Sequence, residues 1–122
     1  MNIRIDSRGD SRVAIIESGE VVIQDAQDAL DLMATVSYNE DGCNKLLLDK
    51  TMLAEAFFDL KTGLAGEILQ KYTNYRVKLA IVGDFGGYGS KSLKDFIYEC
   101  NQGKQAFFLK DEQAALDALH GV

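Results

Sequence analysis

The sequence predicts an α/β fold with a mixed sheet of about five strands and helices packed on it. Three short apolar runs, at 45–49, 76–83 and 105–109, are separated by segments with helical periodicity. Such alternation implies right-handed crossovers between parallel strands. Two β-branched runs, at 12–16 and 20–23, predict antiparallel strands before them. The chain has 122 residues, of which 47% are hydrophobic, and this length and apolar content fit a single domain.

The two N-terminal runs are predicted to form a hairpin. They flank Ser18 and Gly19, residue types that suit a tight turn between antiparallel strands. The run at 45–49 has no polar alternation, which indicates a strand buried on both faces. The run at 76–83 is the strongest strand pattern of the chain, and 105–109 is the last strand.

The predicted helices have recognisable ends. Asp25 and Asp111 are the expected N-caps of the first and last helices. Ser92 is the expected N-cap of the helix that follows the 76–83 strand and its glycine-rich loop, where Asp95 completes a capping box. The first helix should end near 37–39, and a helical stretch is predicted at about 52–60. The expected core-facing residues are Ala26, Ala29, Leu30, Met33, Leu53, Phe57, Leu60, Leu64, Ile68, Tyr72, Leu93, Phe96, Ile97, Cys100, Ala115, Leu116 and Leu119.

The net charge and hydropathy exclude several classes of protein. The net charge is −6 and the pI is about 4.7. An acidic chain of this kind lacks the basic field that general nucleic-acid binding and docking on anionic membranes require. No apolar run approaches the roughly 20 residues that span a bilayer, and the N-terminus has no signal-peptide core. We therefore expect a cytoplasmic protein without a nucleic-acid or membrane partner.

The two cysteines are expected to be free thiols. Cys43 lies in a polar loop and Cys100 falls on the apolar face of a predicted helix. Neither belongs to a C-x-x-C pair. A zinc or redox site is therefore not expected.

The glycine-rich loop at 83–92 follows a strand and precedes a helix, as phosphate-binding loops do. A Walker A motif would place glycines at Phe85 and Ser90, and the dinucleotide motif G-x-G-x-x-G also fails. The amides before Leu93 remain at a helix N-terminus that could hold an anion. The favoured interpretation is a tight or flexible turn with positive φ at several glycines.

Asp49 and Asp84 each end a predicted parallel strand, the edge at which α/β proteins form sites. With Ser90 and Lys91 they could hold Mg²⁺ and a phosphate. The simpler interpretation, which we favour, is that each aspartate caps the turn that follows it. No metal ion or other cofactor is predicted.

Two further groups are interpreted as structural. The cluster Lys71, Tyr72, Tyr75, Arg76 and Lys78 mixes basic and aromatic side chains, as single-strand nucleic-acid sites do, but the helical spacing of Tyr72 indicates core. The aspartates at 25, 28 and 31 are expected to be helix-start acids. The only histidine stands at position 120. A frayed terminus is a poor place for a general base, so histidine-based catalysis is not expected.

Several long segments resemble known families. The segments "DALDLMATV", "FFDLKTGLAGEILQKYTNYRVKLAIVGDF" and "KSLKDFIYECNQG" are similar to a bacterial family of this length whose function is unknown. The order of elements, with "LLLD", "FFDLKTGLAGEIL" and "KLAIVG", resembles the STAS-like fold of anti-sigma factor antagonists.

In the STAS-like fold, a strand ending in Asp leads to an Asp-Ser-Ser/Thr-Gly-Leu turn, where a hydroxyl can be phosphorylated to control partner binding. The resemblance implies that Thr62 occupies this turn, followed by Gly63 and Leu64, with Asp59 as the acidic residue. This chain has a lysine in place of one hydroxyl, one extra residue, and an inserted helical stretch between Asp49 and Asp59. Independently of the resemblance, Thr62 is expected to act as an N-cap.

We therefore expect a non-enzymatic binding or regulatory module whose partner is another protein or a second copy of this chain, with Thr62 as a candidate phospho-acceptor. The expected contact residues are Thr62, Asp84, Gly86, Gly87, Tyr88, Ser90 and Ser92. The alternative is a binder or enzyme acting on a small molecule, or on a phosphate ligand with Mg²⁺, through Asp49, Asp84 and the 83–92 loop.

Overall fold

The computed structural model describes residues 1–122 and contains one mixed sheet flanked by helices. The strands are β1 (Asn2–Arg8), β2 (Ser11–Glu17), β3 (Lys45–Asp49), β4 (Lys78–Val82) and β5 (Ala106–Leu109). The helices are α1 (Ala26–Asn39), α2 (Glu55–Phe58), α3 (Leu64–Asn74), α4 (Lys91–Gln102) and α5 (Glu112–His120). The strands lie in the order β1-β2-β3-β4-β5. β1 is antiparallel to β2, and all later pairings are parallel. The predicted five-stranded mixed α/β sheet is confirmed.

The sheet is covered on both faces. Helices α1 to α4 contribute to the larger core, for example through Val36, Phe57, Ile68 and Leu93. Helix α5 packs alone on the opposite face, against a smaller core. The central strands are therefore buried on both sides, which explains their continuous apolar sequences.

The predicted hairpin pairs the strand at 12–16 with the wrong segment, because its partner precedes it in the chain and is not the run at 20–23. The strand at 12–16 pairs with Asn2–Arg8, and the two-residue turn is Gly9–Asp10. Gly9 has φ +60°, and a glycine at the first central position is typical of the tight turns that join antiparallel strands. The signal for β1 was the alternation of Ile3 and Ile5 with polar residues.

The run at 20–23 does not form a strand of the sheet. It extends past the end of β2, and the amides of Val22 and Ile23 both donate to the carbonyl of Met52, at 2.7 and 3.0 Å. Ile23 forms a single parallel bridge with Leu53. Within this run Ile23 is fully buried and belongs to the larger core. The run links the hairpin to the first helix.

The continuous helix predicted at 52–60 is also wrong. A 3₁₀ turn at Lys50–Met52, the short helix α2 and a second 3₁₀ turn at Leu60–Thr62 replace it. Asp49 and Asp59 explain these breaks, because each carboxylate accepts a hydrogen bond from the amide two residues on and starts a 3₁₀ turn.

Several predicted helix ends are confirmed. Asp25 and Asp111 cap α1 and α5 through their side chains. Helix α1 ends at Asn39 as expected. No helix combines the length and the apolar character needed to cross a bilayer.

Candidate functional site

Thr62 lies at the start of α3, in an exposed position. Its hydroxyl donates toward the carbonyls of Ala56 and Asp59, at 2.7 and 2.9 Å, and accepts from the amide of Leu64 at 3.2 Å. Gly63 separates Thr62 from the helix in the left-handed conformation, with φ +76°, which favours glycine. The expected N-cap is therefore wrong by one residue, because Gly63 holds that position. The Thr62 hydroxyl still accepts from the amide of Leu64, the first residue of α3, and it also joins α2 to the turn.

Asp59, the acidic residue that the resemblance implied, has a local role. It follows the last residue of α2, and its carboxylate accepts from the amide of Lys61 at 3.2 Å. This bond orders the Leu60–Thr62 turn and sets the direction in which Thr62 projects.

The glycine-rich loop packs down on α2 through aromatic rings. The rings of Phe58 and Tyr88 stack with centroids 5.4 Å apart, and Phe85 lies 6.1 Å from Phe58. The ammonium group of Lys50 donates to the carbonyl of Asp84 and lies 5.4 Å from the Tyr88 ring centroid, a cation–π distance. Burial, followed by the nearby Glu55 carboxylate, raises the pKa of the Tyr88 hydroxyl.

The expectation of positive φ at several loop glycines is wrong. The glycines with positive φ are Gly9, Gly42 and Gly63, all outside this loop. At Gly83 the requirement is space, because a Cβ there would lie 2.6 Å from Cδ of Lys50. Nothing approaches the Cβ position of Gly87.

Ser90, and not Ser92, caps α4. The Ser90 hydroxyl accepts from the amide of Leu93 at 3.2 Å. The predicted capping box at Ser92 is wrong because Asp95 instead forms an ion pair with Lys91, at 2.8 Å. Two serines stand two residues apart, and the sequence pattern alone fits both.

The structure brings Thr62 and the loop together. One hollow of about 420 Å³ is lined by Thr62, Asp59 and Tyr88 together with Glu55, Ala56 and Phe58. A second, of about 450 Å³, is lined by Asp59, Leu60, Lys61, Ser90 and Ser92. Asp59 lines both hollows, so they adjoin. We call this region, formed by residues 55–62 with Tyr88, Ser90 and Ser92, the Thr62 surface.

Three predicted contact residues lie outside these hollows. Asp84 accepts from the amide of Gly86 at 2.9 Å and so orders the start of the loop. Gly86 and Gly87 are exposed and line neither hollow. The Gly86 amide already donates to the Asp84 carboxylate, so it is not free to bind an anionic ligand.

The structure does not bring Asp49 and Asp84 into one hollow. Asp49 accepts from the amide and hydroxyl of Thr51, at 2.9 and 2.6 Å. It also lines a hollow of about 370 Å³ with Glu17 and Glu112, which does not include Asp84. No three histidine, cysteine or acidic side chains converge as a set of metal ligands. The favoured interpretation, in which each aspartate caps its own turn, is confirmed.

The expectation that His120 stands at a frayed terminus is wrong, because α5 extends to His120. Its side chain is 5% exposed. One ring nitrogen, Nδ1, lies 2.7 Å from the Ser11 hydroxyl, and Nε2 lies 2.8 Å from a carboxylate oxygen of Asp6. Lys45 also donates to the Ser11 hydroxyl, at 2.8 Å, and burial lowers the pKa of its ammonium group.

This serine, histidine and aspartate join the end of α5 to the β1–β2 hairpin. None of the three lines a hollow in the structure, so the arrangement ties elements together with no substrate cavity beside it. One sequence signal indicates that His120 is buried. It follows Leu116 by four residues and therefore lies on the same face of α5.

Tyr72 and the two cysteines are the last of the predicted groups. Tyr72 is fully buried and its hydroxyl donates to the carbonyl of Ala29 at 2.7 Å, which confirms that it belongs to the core. Burial raises the pKa of this hydroxyl. Cys43 and Cys100 are free thiols, as expected, although Cys43 is buried rather than exposed in its loop. Burial raises the pKa of the Cys100 thiol.

No curated protein matches the chain. Residues 8–119 match the model of a family described as a domain of unknown function, DUF4180, and the chain belongs to this family.

Proposed function

We propose that the protein is a non-enzymatic, STAS-like regulatory module of the bacterial cytoplasm that binds a protein partner through the Thr62 surface. The observation that carries this proposal is the junction of two hollows at Asp59, with Thr62 and Tyr88 in one and Ser90 and Ser92 in the other. Two segments that are about 30 residues apart in the chain thereby present one surface, which contains the hydroxyls of one threonine and two serines together with the tyrosine ring.

The order of elements supports the STAS-like part of the proposal. An antiparallel pair is followed by parallel strands that alternate with helices. The turn at Thr62 directly precedes α3, which is the position of the phospho-acceptor turn in the fold that the sequence resembles.

Tyr88 supplies the binding anchor. It is half-buried, its ring stacks with that of Phe58, and the Lys50 ammonium group lies 5.4 Å from its ring centroid. A rigid aromatic residue whose conformation is fixed before binding loses little entropy in a complex, and tyrosine is a common energetic anchor in interfaces.

Phosphorylation of Thr62 would alter this surface in two ways. It would replace the hydroxyl hydrogen that is donated toward the carbonyls of Ala56 and Asp59, and so release α2 from the turn. It would also add between one and two negative charges, roughly, at the N-terminal end of α3, beside the exposed Lys61. A partner can read both the charge and the released segment.

The test uses affinity capture from the native cell with the wild-type protein as bait, followed by calorimetry with the purified captured partner. We expect Tyr88→Ala and Thr62→Glu to weaken binding at least about tenfold, the scale of an interface anchor. Tyr38→Ala is the matched control, because Tyr38 is a highly exposed tyrosine outside the Thr62 surface.

A partner whose affinity is equal for wild type, Tyr88→Ala and Thr62→Glu would contradict the proposal. So would thermal stabilisation by Mg²⁺ with a nucleotide or phosphorylated metabolite that is lost in Asp84→Asn. That second result would favour the alternative of a phosphate-ligand site.

A further inference from the structure

The outer edge of β1 is an open strand edge. β1 pairs only with β2. The two-residue turn makes Arg8 and Ser11 a hydrogen-bonded pair, and such pairs alternate along an antiparallel ladder. The amides and carbonyls of residues 2, 4, 6 and 8 therefore face β2. Those of Ile3, Ile5 and Ser7 face outward, where no hydrogen bond beyond the ladder reaches them.

The other edge of the sheet is closed by a side chain. On β5, the outward amide of Phe108 donates to Asn101 Oδ1 at 2.8 Å, and Asn101 Nδ2 donates to the Phe108 carbonyl at 3.0 Å. The asparagine of α4 thus occupies the position of a neighbouring strand. The side chain blocks the middle of the β5 edge, whereas no side chain bonds the outward backbone of β1, to which another strand can be added.

We propose that β1 pairs antiparallel with β1 of a second copy, about a two-fold axis at Ile5. In this register Ile5 lies opposite Ile5 of the second copy, and Ile3 lies opposite its Ser7. The outward amides and carbonyls of all three residues then form hydrogen bonds with the partner strand. Arg4 then lies opposite Asp6 of the second copy, and Asp6 lies opposite its Arg4. Opposite charges in cross-strand positions stabilise a strand pair.

The neighbouring registers are disfavoured by charge. Outward groups must meet outward groups, so the next registers are displaced by two residues in either direction. One places Arg4 opposite Arg4, and the other places Asp6 opposite Asp6 and Arg4 opposite Arg8. Like charges directly opposite destabilise a pair. The strand sequence "NIRIDSR" therefore selects one register and a copy of itself as partner.

The charged side chains have atoms available for this pairing. Arg4 bonds Glu17 and Glu112 through Nε and Nη2, so Nη1 makes no hydrogen bond within the chain. Asp6 contacts His120 and Arg8 through Oδ2, so Oδ1 is also unused. Both side chains lie toward α5, whereas Ile3 and Ile5 pack on the larger core. The contacts within one chain can thus persist in the dimer.

The first test is the molar mass in solution by sedimentation equilibrium. We expect a monomer–dimer equilibrium in the wild type and in Ser7→Ala, which keeps the amide. Ser7→Pro removes the outward amide of an exposed residue and should raise the dissociation constant at least about tenfold. A wild type that is monomeric at about 1 mM, where only very weak association escapes detection, would overturn the proposal, and so would a dimer of unchanged affinity in Ser7→Pro.

The second test fixes the register by oxidative cross-linking and does not depend on the folding of the proline variant. In Ile5→Cys the two Cα atoms should lie about 5.5 Å apart, within disulfide range. In Ile3→Cys they should lie about 14 Å apart, because a four-residue offset along the strand adds to the separation of the two strands. A disulfide dimer in Ile5→Cys alone supports the proposal, with the wild type as background for Cys43 and Cys100. Equal cross-linking of both variants, or none, contradicts it.

Discussion

The two edges of the sheet deal with their outward backbone groups in different ways. At β5, Asn101 of α4 donates to and accepts from Phe108 and so acts in place of another strand. At β1, side chains tie the strand to α5 on one face but leave its outer amides and carbonyls unpaired. Arg4 binds Glu112, Asp6 binds His120, and Arg8 binds Asp117. The difference teaches that an edge strand can be anchored firmly without being closed.

At the β5 edge, a single side chain, that of Asn101, makes both hydrogen bonds to the outward backbone groups of Phe108. Phe108 is only 3% exposed, so its amide and carbonyl have little access to replacement water. We expect Asn101→Ala to lower the free energy of unfolding by about 2–4 kcal/mol, since an unsatisfied buried polar group costs about 1–3 kcal/mol. Urea denaturation measures this effect. Gln102→Ala, in the exposed neighbouring position of α4, is the control and should change stability by less than about 0.5 kcal/mol. An equal loss in both variants would show that Asn101 does not close the edge.

In β1, proline should be tolerated at a residue whose amide faces outward and should be destabilising at a residue whose amide faces β2. The Arg4 amide faces β2, and we expect Arg4→Pro to cost about 2 kcal/mol more than Arg4→Ala, because proline also removes a ladder hydrogen bond. Ser7→Pro removes only an outward amide and should cost less than about 1 kcal/mol in the monomer. Thermal unfolding at a concentration where the chain is monomeric measures both. A larger loss for Ser7→Pro than for Arg4→Pro would reverse the alternation assigned to β1.

The same contrast explains which parts of the fold could be predicted. The parallel strands were found because they are buried on both faces and read as continuous apolar runs. β1 was missed because an edge strand holds only two half-buried apolar residues, Ile3 and Ile5, among polar ones. The run at 20–23 looked more like a strand, yet its carbonyl and amide partners lie in the Met52 segment, which no local pattern shows.

The candidate site was predictable where side chains act on their own neighbours in sequence. The local caps formed by Asp25, Asp49 and Asp111 follow this rule. The meeting of Thr62 with Tyr88 and the contacts of His120 with Ser11 and Asp6 join segments that are distant in the chain. Such contacts are set by sheet order and helix packing, which had to be known first.

The smallest expected effect concerns the tie between Arg8 and Asp117. Arg8 donates to the Asp117 carboxylate at 2.7 Å, and this bond, followed by that from Gln113, holds the pKa of Asp117 below its usual range. A carboxyl whose pKa is lower in the folded state stabilises the fold above its unfolded pKa and loses that contribution as the pH falls through the folded value. The stability difference between wild type and Asp117→Asn should therefore be constant at neutral pH and shrink below about pH 4.

Because this pair is exposed, the effect should be small and should weaken in high salt. Hydrogen exchange offers a sharper measurement, since it separates the two edges. In Asp117→Asn the β1 amides that face β2 should exchange faster at neutral pH, while those of β5 remain unchanged. Asp95→Asn, which breaks the exposed ion pair to Lys91 in α4, is the matched control and should leave β1 unaffected. Faster exchange in β5 as well would mean that the tie stabilises the whole sheet and that the two edges are not independent.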